Sequence, residues 1–477
     1  MIGSPHRLAS EAGAQVLRDG GNAVDAVIAA DAVLCVVYPH MTSVAGDLMA
    51  IVWPAGAAAP VGQVGAGRSG ELATIDAVRQ RGHSEMPERG VLSVTVPGTV
   101  EAWGRLIERF GSLGWASVLE PAIALARHGY EVTAHVSEAL HQAAALLAHE
   151  PAAYELYPPV GAGTRLRNGD LATVLSDIAR HGFNGFYRGE IAAAIAAAIA
   201  KRDGFVTARD LAGHRSEWVE TLTIPYRDVV VHELPPPTQG LIALSLLRLL
   251  STHSDLRPGR KFAELFADAT RSAYTIRDQI TDPEFAPAPG LVTADVPDGG
   301  DTCYLCAADE HGNLVSLIQS VAFDFGSGIV AEGTGMLLQN RGSYFSLDPR
   351  HVNRLEPKKR TRHTLIPALA TRDGKPWLLY GSMGGDGQPQ LQTQVLINIV
   401  DHELEPQEAL ARPRVRLAPD GAAITIEEGY PDAQGLGEVI PAGDLSFGHA
   451  HAIVIDGPGK WRAGFDPRSD GSVETVD

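Results

Sequence analysis

Residues 298–323 read DGGDTCYLCAADEHGNLVSLIQSVAF. Two apolar, β-prone arms flank EHGN at 310–313, whose glycine and asparagine suit a turn, so the stretch predicts an antiparallel hairpin. The first arm begins at Thr302, directly behind Gly299-Gly300 and Asp301. If the peptide bond between Asp301 and Thr302 breaks, Thr302 gains a free α-amine. An ordinary α-amine has a pKa of roughly 7.7–8.0, so at neutral pH a usable fraction is a base. It can take the proton of its own side-chain hydroxyl, and the Oγ can then attack a carbonyl. Ser320, on the second arm, can hydrogen-bond Thr302 and orient it. YGSMGG at 380–385 ends another apolar run. There Gly384 and Gly385 offer the consecutive unhindered backbone N–H groups an oxyanion hole needs. Singly, each feature is ordinary: threonines follow glycine turns and glycine pairs end strands without any chemistry. Their recurrence around one threonine is what gives them weight.

Outward from this stretch the texture changes. Before it, residues 281–300 hold four prolines and three glycines, which reads as a linker. Earlier still the patterns are mostly helical. They comprise 7–19, a very apolar helix from Ala23 to about Val37 with Asn22 as its N-cap, 112–149, 190–201 and 241–250. AGDLMAIVW (45–53) and RDVVVH (227–232) read as strands. After the hairpin, GIVAEGTGMLLQN and KPWLLYGSMGG read as strands, and VLINIV (395–400) is expected to open a late helix. This mixture suits a layered α/β sandwich.

Composition narrows the function classes. The 477 residues carry 39 basic and 57 acidic side chains, a net charge of −18, which argues against nucleic acid and anionic membrane partners. No window approaches 18 unbroken apolar residues, so no membrane-spanning helix is expected. Three cysteines are too few for a disulfide framework and suggest a reducing compartment. With no signal-peptide-like apolar run near the start, a cytoplasmic location is expected. Other motifs are weaker. GAGRSG (65–70) matches a GxGxxG phosphate loop, but no clean βαβ unit surrounds it. Cys303 and Cys306 form a CxxC in a strand, where residues three apart face opposite sides. There is no second CxxC to complete a zinc site, no HExxH and no GxSxG nucleophile elbow.

The chain resembles the γ-glutamyltransferases (glutathione hydrolases), a family of N-terminal-nucleophile hydrolases. The blocks that carry the likeness run nearly end to end. They include LRDGGNAVDAVIAA, VPGTVEAW, LEPAIALARHGYEVT and LPPPTQG, then DGGDTCYLCAADEHGNLVSLIQS, FGSGIVAEGTGMLLQNRG, KKRTRHTLIPAL and GSMGGDGQPQ. The resemblance implies a four-layer αββα sandwich. It implies self-cleavage into a large segment 1–301 and a small segment 302–477 that stay together as one interleaved sandwich. Thr302 is then the nucleophile, Ser320 the hydroxyl that activates it, and Gly384 and Gly385 the oxyanion hole. The substrate is then a small-molecule amide, no metal or cofactor is implied, and a homo-oligomer is compatible with the sequence.

The departures bear on substrate. The arginine with which glutathione-cleaving members hold the glutamyl α-carboxylate falls at Ala66, with Arg68 two residues on. Their asparagine after the activating hydroxyl is Ala322. Their glutamine and aspartate are Arg341 and Tyr344, and their paired serines are His363 and Thr364. Arg68, Arg341, Tyr344, His363 and Thr364 are therefore the candidate substrate-binding residues. A buried ammonium without a carboxylate partner is costly, and Arg341 would repel it. An arginine instead favours an anionic acyl end held bidentately. The expected substrates are small anionic amides; the QNRG stretch (339–342) is similar to that of oxamate amidohydrolases in this family, and glutaryl amides are a second option. The alternatives are a true glutathione hydrolase in which Arg341 makes a structural ion pair, an unprocessed binding protein, and a nucleotide-dependent enzyme using 65–70.

Overall fold

The computed structural model describes residues 1–291, 301–418, 421 and 423–476. Pro297, Gly299 and Gly300 of the expected linker lie outside the described residues. Its front end is no solvent-exposed tether: Thr281 and Asp282 are buried.

Two antiparallel sheets form the middle of the molecule. The first runs Ser472–Glu474, Ile2–Ser4, Asp301–Ala308, Leu314–Ala322, Asp47–Trp53, Val61–Gly65, Glu217–Val219. The second runs Lys460–Phe465, Ala450–Gly457, Lys375–Ser382, Ala368–Arg372, Val229–Glu233, Leu222–Tyr226. Strand alternation assigns the faces. Along Asp301–Ala308, Cys303, Leu305 and Ala307 pack against helices, whereas Tyr304, Cys306 and Ala308 join Met49, Ile51, Ile318, Leu379 and Ile453 between the sheets. The two cysteines of the CxxC thus face opposite layers.

Helices cover both outer faces, completing the αββα sandwich. On the first sheet lies Ala23–Val37, buried at all fifteen positions. Its start is fixed locally: the Asn22 side chain accepts from the Val24 and Asp25 amides, and Asp25 returns a bond to the Asn22 N–H at 3.0 Å. On the second sheet lie Gly240–Leu250, Arg260–Tyr274 and Gln388–Val400.

Details of the later elements differ from the sequence reading. VLINIV closes the helix Gln388–Val400 instead of opening one. Its early turns are glutamine-rich yet buried, because their amides find backbone partners: Gln390 accepts from Leu417 N at 2.8 Å and Gln394 from Val415 N at 3.0 Å. Pro389 sits in the first turn, where a missing N–H costs nothing. GIVAEGTGMLLQN yields only two two-residue strands, Val330–Ala331 and Met336–Leu337. GAGRSG follows a strand that pairs antiparallel on both sides, and the next helix, Ile75–Arg79, has five residues. A Cβ on Gly67 would fall 1.4 Å from Val96 O, and one on Gly70 2.0 Å from Phe205 O. These glycines serve crossing backbones, and the helix and strand order of a dinucleotide loop is absent around them.

Candidate active site

Strand parity brings the first three site residues together. Thr302 shares the face of Tyr304 and Cys306, which is the face between the sheets. Ser320 shares the face of Ile318 on the neighbouring strand, and Asp47, the Cα partner of Ser320, shares that of Met49 on the next. The ladder is regular to Gln319 opposite Cys303, then shifts so that Ala322 opposes Asp301. This bulge re-aims the chain beside Ser320. Ala322 adopts φ 85°, and its amide donates to Ser320 Oγ at 2.7 Å.

Thr302 is fully buried. Its Oγ1 accepts a hydrogen bond from Gln388 Nε2 at 3.0 Å. The Ile366 amide donates to Gln388 Oε1 at 3.3 Å, which sets the orientation of that side-chain amide. Gln388 was not singled out from sequence. The signal was its place three residues behind the paired glycines, ahead of the stretch where a helix was expected to open. Gln388→Ala is expected to slow reactions at Thr302 by about tenfold, the worth of one neutral hydrogen bond. Initial rates on any turned-over amide check this; an unchanged rate would make the contact incidental.

Gly384 and Gly385 lie at the end of the strand Lys375–Ser382, facing this corner from the second sheet. Their φ values are 131° and 53°, which side-chain-bearing residues rarely adopt. Neither N–H donates a hydrogen bond among the described residues. The loop is braced on several sides. Met383 N donates to His449 O at 2.9 Å, Gln239 Nε2 bridges Gly385 O and Thr364 O at 2.8 and 2.9 Å, and Arg362 grips Asp386 bidentately at 2.6 and 3.2 Å. Gln239 belongs to the LPPPTQG block, which gives that motif a physical role. The donors an oxyanion would meet are thus held in place before any substrate arrives.

Arg341 is the charged centre of the site. It is 1% exposed. Nη1 donates to Thr364 Oγ1 at 3.0 Å and Nη2 to Ser320 Oγ at 3.4 Å, while Nε has no partner. The guanidinium lies 5.0 Å from the Tyr344 ring centre, and Arg362 approaches the same ring at 4.7 Å. Among the described residues no carboxylate lies within 4.0 Å of Arg341. Burial pushes its pKa down, opposed by Tyr344, Asp47 and Asp386, yet a guanidinium stays charged in proteins. A buried, charged group with only neutral hydrogen-bond partners is a costly arrangement that an anion would relieve.

Behind it stands a buried pair that sequence reading did not join. His363 Nε2 lies 3.2 Å from Asp47 Oδ2, and Leu365 N donates to His363 Nδ1 at 3.3 Å. The imidazole therefore carries its proton on Nε2 and gives it to the carboxylate. Burial, with Arg341 and Arg360 nearby, pushes the His363 pKa well below its ordinary value. Burial pushes the Asp47 carboxyl up to about 7, against Arg341 and the Gly67 and Gly98 amides. The pair is separated by 316 positions in sequence. Its only sequence signal is an aspartate on an otherwise apolar strand face.

Arg68 is corrected by this geometry. Its guanidinium is spent on Asp282 at 2.7 Å, Glu284 at 2.7 Å and Glu217 at 3.1 Å, with Arg360 sharing the same carboxylates. It stands apart from the Thr302 cluster. Three acidic residues that look dispersed in sequence converge on it, which removes it as a substrate ligand. Thr302, Ser320, Arg341, Tyr344, His363 and Thr364 do lie in one linked cluster, closed by the glycine loop.

Comparison with known proteins gives a consistent frame. The family model described as gamma-glutamyltranspeptidase matches residues 9–296 and 291–476. The glutathione hydrolase-like YwrD proenzyme of Bacillus subtilis is 37% identical, over 99% of this chain and 98% of that protein. The oxamate amidohydrolase proenzyme of Klebsiella pneumoniae is 34% identical, over 99% and 98%. Among solved structures, a cephalosporin acylase from Bacillus halodurans superposes with a TM-score of 0.93 at 34% identity, covering 100% of this chain and 95% of the other.

Proposed function

Because the chain belongs to the gamma-glutamyltranspeptidase family of N-terminal-nucleophile hydrolases, we propose that it cleaves itself between Asp301 and Thr302 and then hydrolyses a small amide whose acyl group ends in a carboxylate. In the uncut chain the Thr302 nitrogen is still an amide. Attack of its own Oγ on the Asp301 carbonyl moves the acyl group from N to O, and hydrolysis of that ester frees the α-amine. In turnover the freed amine takes the Oγ proton and Oγ adds to the substrate carbonyl. The developing oxyanion meets the Gly384 and Gly385 N–H groups. The C–N bond breaks, the leaving nitrogen takes the proton, and water resolves the acyl-threonine ester.

The single observation that carries the substrate reading is Arg341: a buried guanidinium beside Ser320 with no carboxylate within 4.0 Å among the described residues. A substrate carboxylate supplies the missing charge. The family relative that acts on oxamate, a small amide bearing a carboxylate, supports the same class. A γ-glutamyl group also brings an α-ammonium, and Arg341 and Arg362 both flank Tyr344, where that ammonium's counter-charge would be needed.

A hydrolysis panel tests this reading. Oxamate and glutaryl anilide are expected to exceed γ-glutamyl anilide in kcat/KM, and Arg341→Met to lower kcat/KM for the anionic amides by about 100-fold, the usual cost of removing one member of a buried charge pair. A γ-glutamyl preference, or an Arg341→Met enzyme of undiminished activity, contradicts it.

A further inference from the structure

A polar recess lies next to the glycine loop, lined by His40 and Met383 with Glu138, Asp324 and Asp444 around it. Met383 immediately precedes Gly384. Asp324 lies two residues beyond Ala322, the Cα partner of Asp301. The recess is therefore bounded by the backbone segments that lead into the Thr302 corner from both sheets.

Its chemistry is the reverse of the Arg341 side. Three carboxylates line it. His135, also on its wall, has its charge matched by Asp470 at 2.7 Å. His40 is 1% exposed, and both of its ring nitrogens are buried without a hydrogen-bond partner. Its ring is fixed by Tyr38 at 4.3 Å between centroids. Burial holds this imidazole neutral, so one nitrogen is an unused acceptor. An acceptor without a donor, on the wall of a recess that three carboxylates also line, asks for a cationic donor.

We propose that this recess binds the ammonium group of an amine leaving group, so that the preferred substrates are amides of diamines: a carboxylate on the acyl side and a primary ammonium on the amine side. This rests on the amide-hydrolase reading above for the word "leaving"; the ammonium site itself stands on His40 and the three carboxylates. An ammonium is repelled from Arg341 and attracted here, so opposite ends of one substrate sort to opposite sides of the scissile carbonyl.

The test separates the two claims. First, 1,4-diaminobutane is titrated calorimetrically into full-length Thr302→Ala, with butane-1,4-diol as the neutral control. Saturable diamine binding below about 1 mM, no diol binding, and a loss of about tenfold in the Glu138→Gln/Asp444→Asn variant are expected. Second, wild type is given two glutaryl amides that differ only in the amine, 4-aminobutyl and pentyl. A preference of about tenfold for the charged amide, reduced to near unity in the double variant, is expected. Diamine binding with neither amide hydrolysed upholds the ammonium site and defeats the acyl reading. Absence of saturable binding to about 20 mM, binding that survives the double variant, or equal rates on the two amides overturns the ammonium site.

Discussion

Thr302→Ala is expected to remain a single 477-residue chain and to lose hydrolysis by about 10⁴-fold or more. The reason is that one oxygen serves both steps. Removing it leaves nothing to attack the Asp301 carbonyl and nothing to attack substrate. The fold should survive, because among the described residues the Thr302 side chain makes one hydrogen bond, that from Gln388, and Ala fits the strand. Wild type on a denaturing gel should show fragments 1–301 and 302–477. Thr302→Ser keeps a hydroxyl and is expected to process, more slowly. A wild-type chain that stays whole yet hydrolyses amides would remove the link between maturation and catalysis.

The second large effect is acid sensitivity. His6, His40, His449 and His451 are buried near Tyr38 and one another, with ring centroids 4.3–6.5 Å apart along the chain of contacts. Burial pushes His40 and His449 down to about 3, and His6 and His451 down to about 4. The folded-state values lie below the ordinary 6.5, so between about pH 6.5 and pH 4 only the unfolded chain takes up these protons. Unfolding then gains protons, and stability falls as pH falls through that window; above it these groups contribute no slope. His214, His232, His363 and His402 are lowered by burial in the same way, whereas the buried Asp31, Asp47 and Glu233 carboxyls, pushed up by burial, and His135, raised by Asp470, have the opposite sign and offset part of the loss. At about 2 kcal/mol per fully buried group, six such histidines against three such carboxyls leave a net loss from pH 7 to pH 5 on the order of 6 kcal/mol, or about 6 °C in Tm. Thermal melts across pH 5–8 check this. A flat Tm below pH 6.5 would mean the imidazoles are hydrated or already charged in the folded protein.

What was legible in the sequence was local. The helix at Ala23–Val37 is announced by an Asn22 cap and an unbroken apolar run, and the hairpin by two β-prone arms around a glycine turn. In both, residues close in sequence make the deciding contacts. The Thr302, Ser320 and glycine-pair grouping came from strand ends, which meet because alternation puts them on the inner face. The failures are long-range or inverted in polarity. The glutamines at 388–394, ahead of the expected helix start at Val395, are helical, buried and bonded to groups distant in sequence. Arg68 reads as a free cation, and only the folded chain brings Asp282, Glu217 and Glu284 to it. Asp47 and His363 carry no motif of their own; three-dimensional proximity alone pairs them.

The most direct test is to trap the acyl-enzyme. Wild type is mixed with a slowly deacylated anionic amide, quenched in acid during turnover, digested and mapped by mass spectrometry. The expected result is an added acyl mass on a peptide whose first residue is Thr302, absent from Thr302→Ala. Acyl mass on Ser320 or elsewhere, or full turnover with no adduct at any quench time, would contradict Thr302 as the nucleophile.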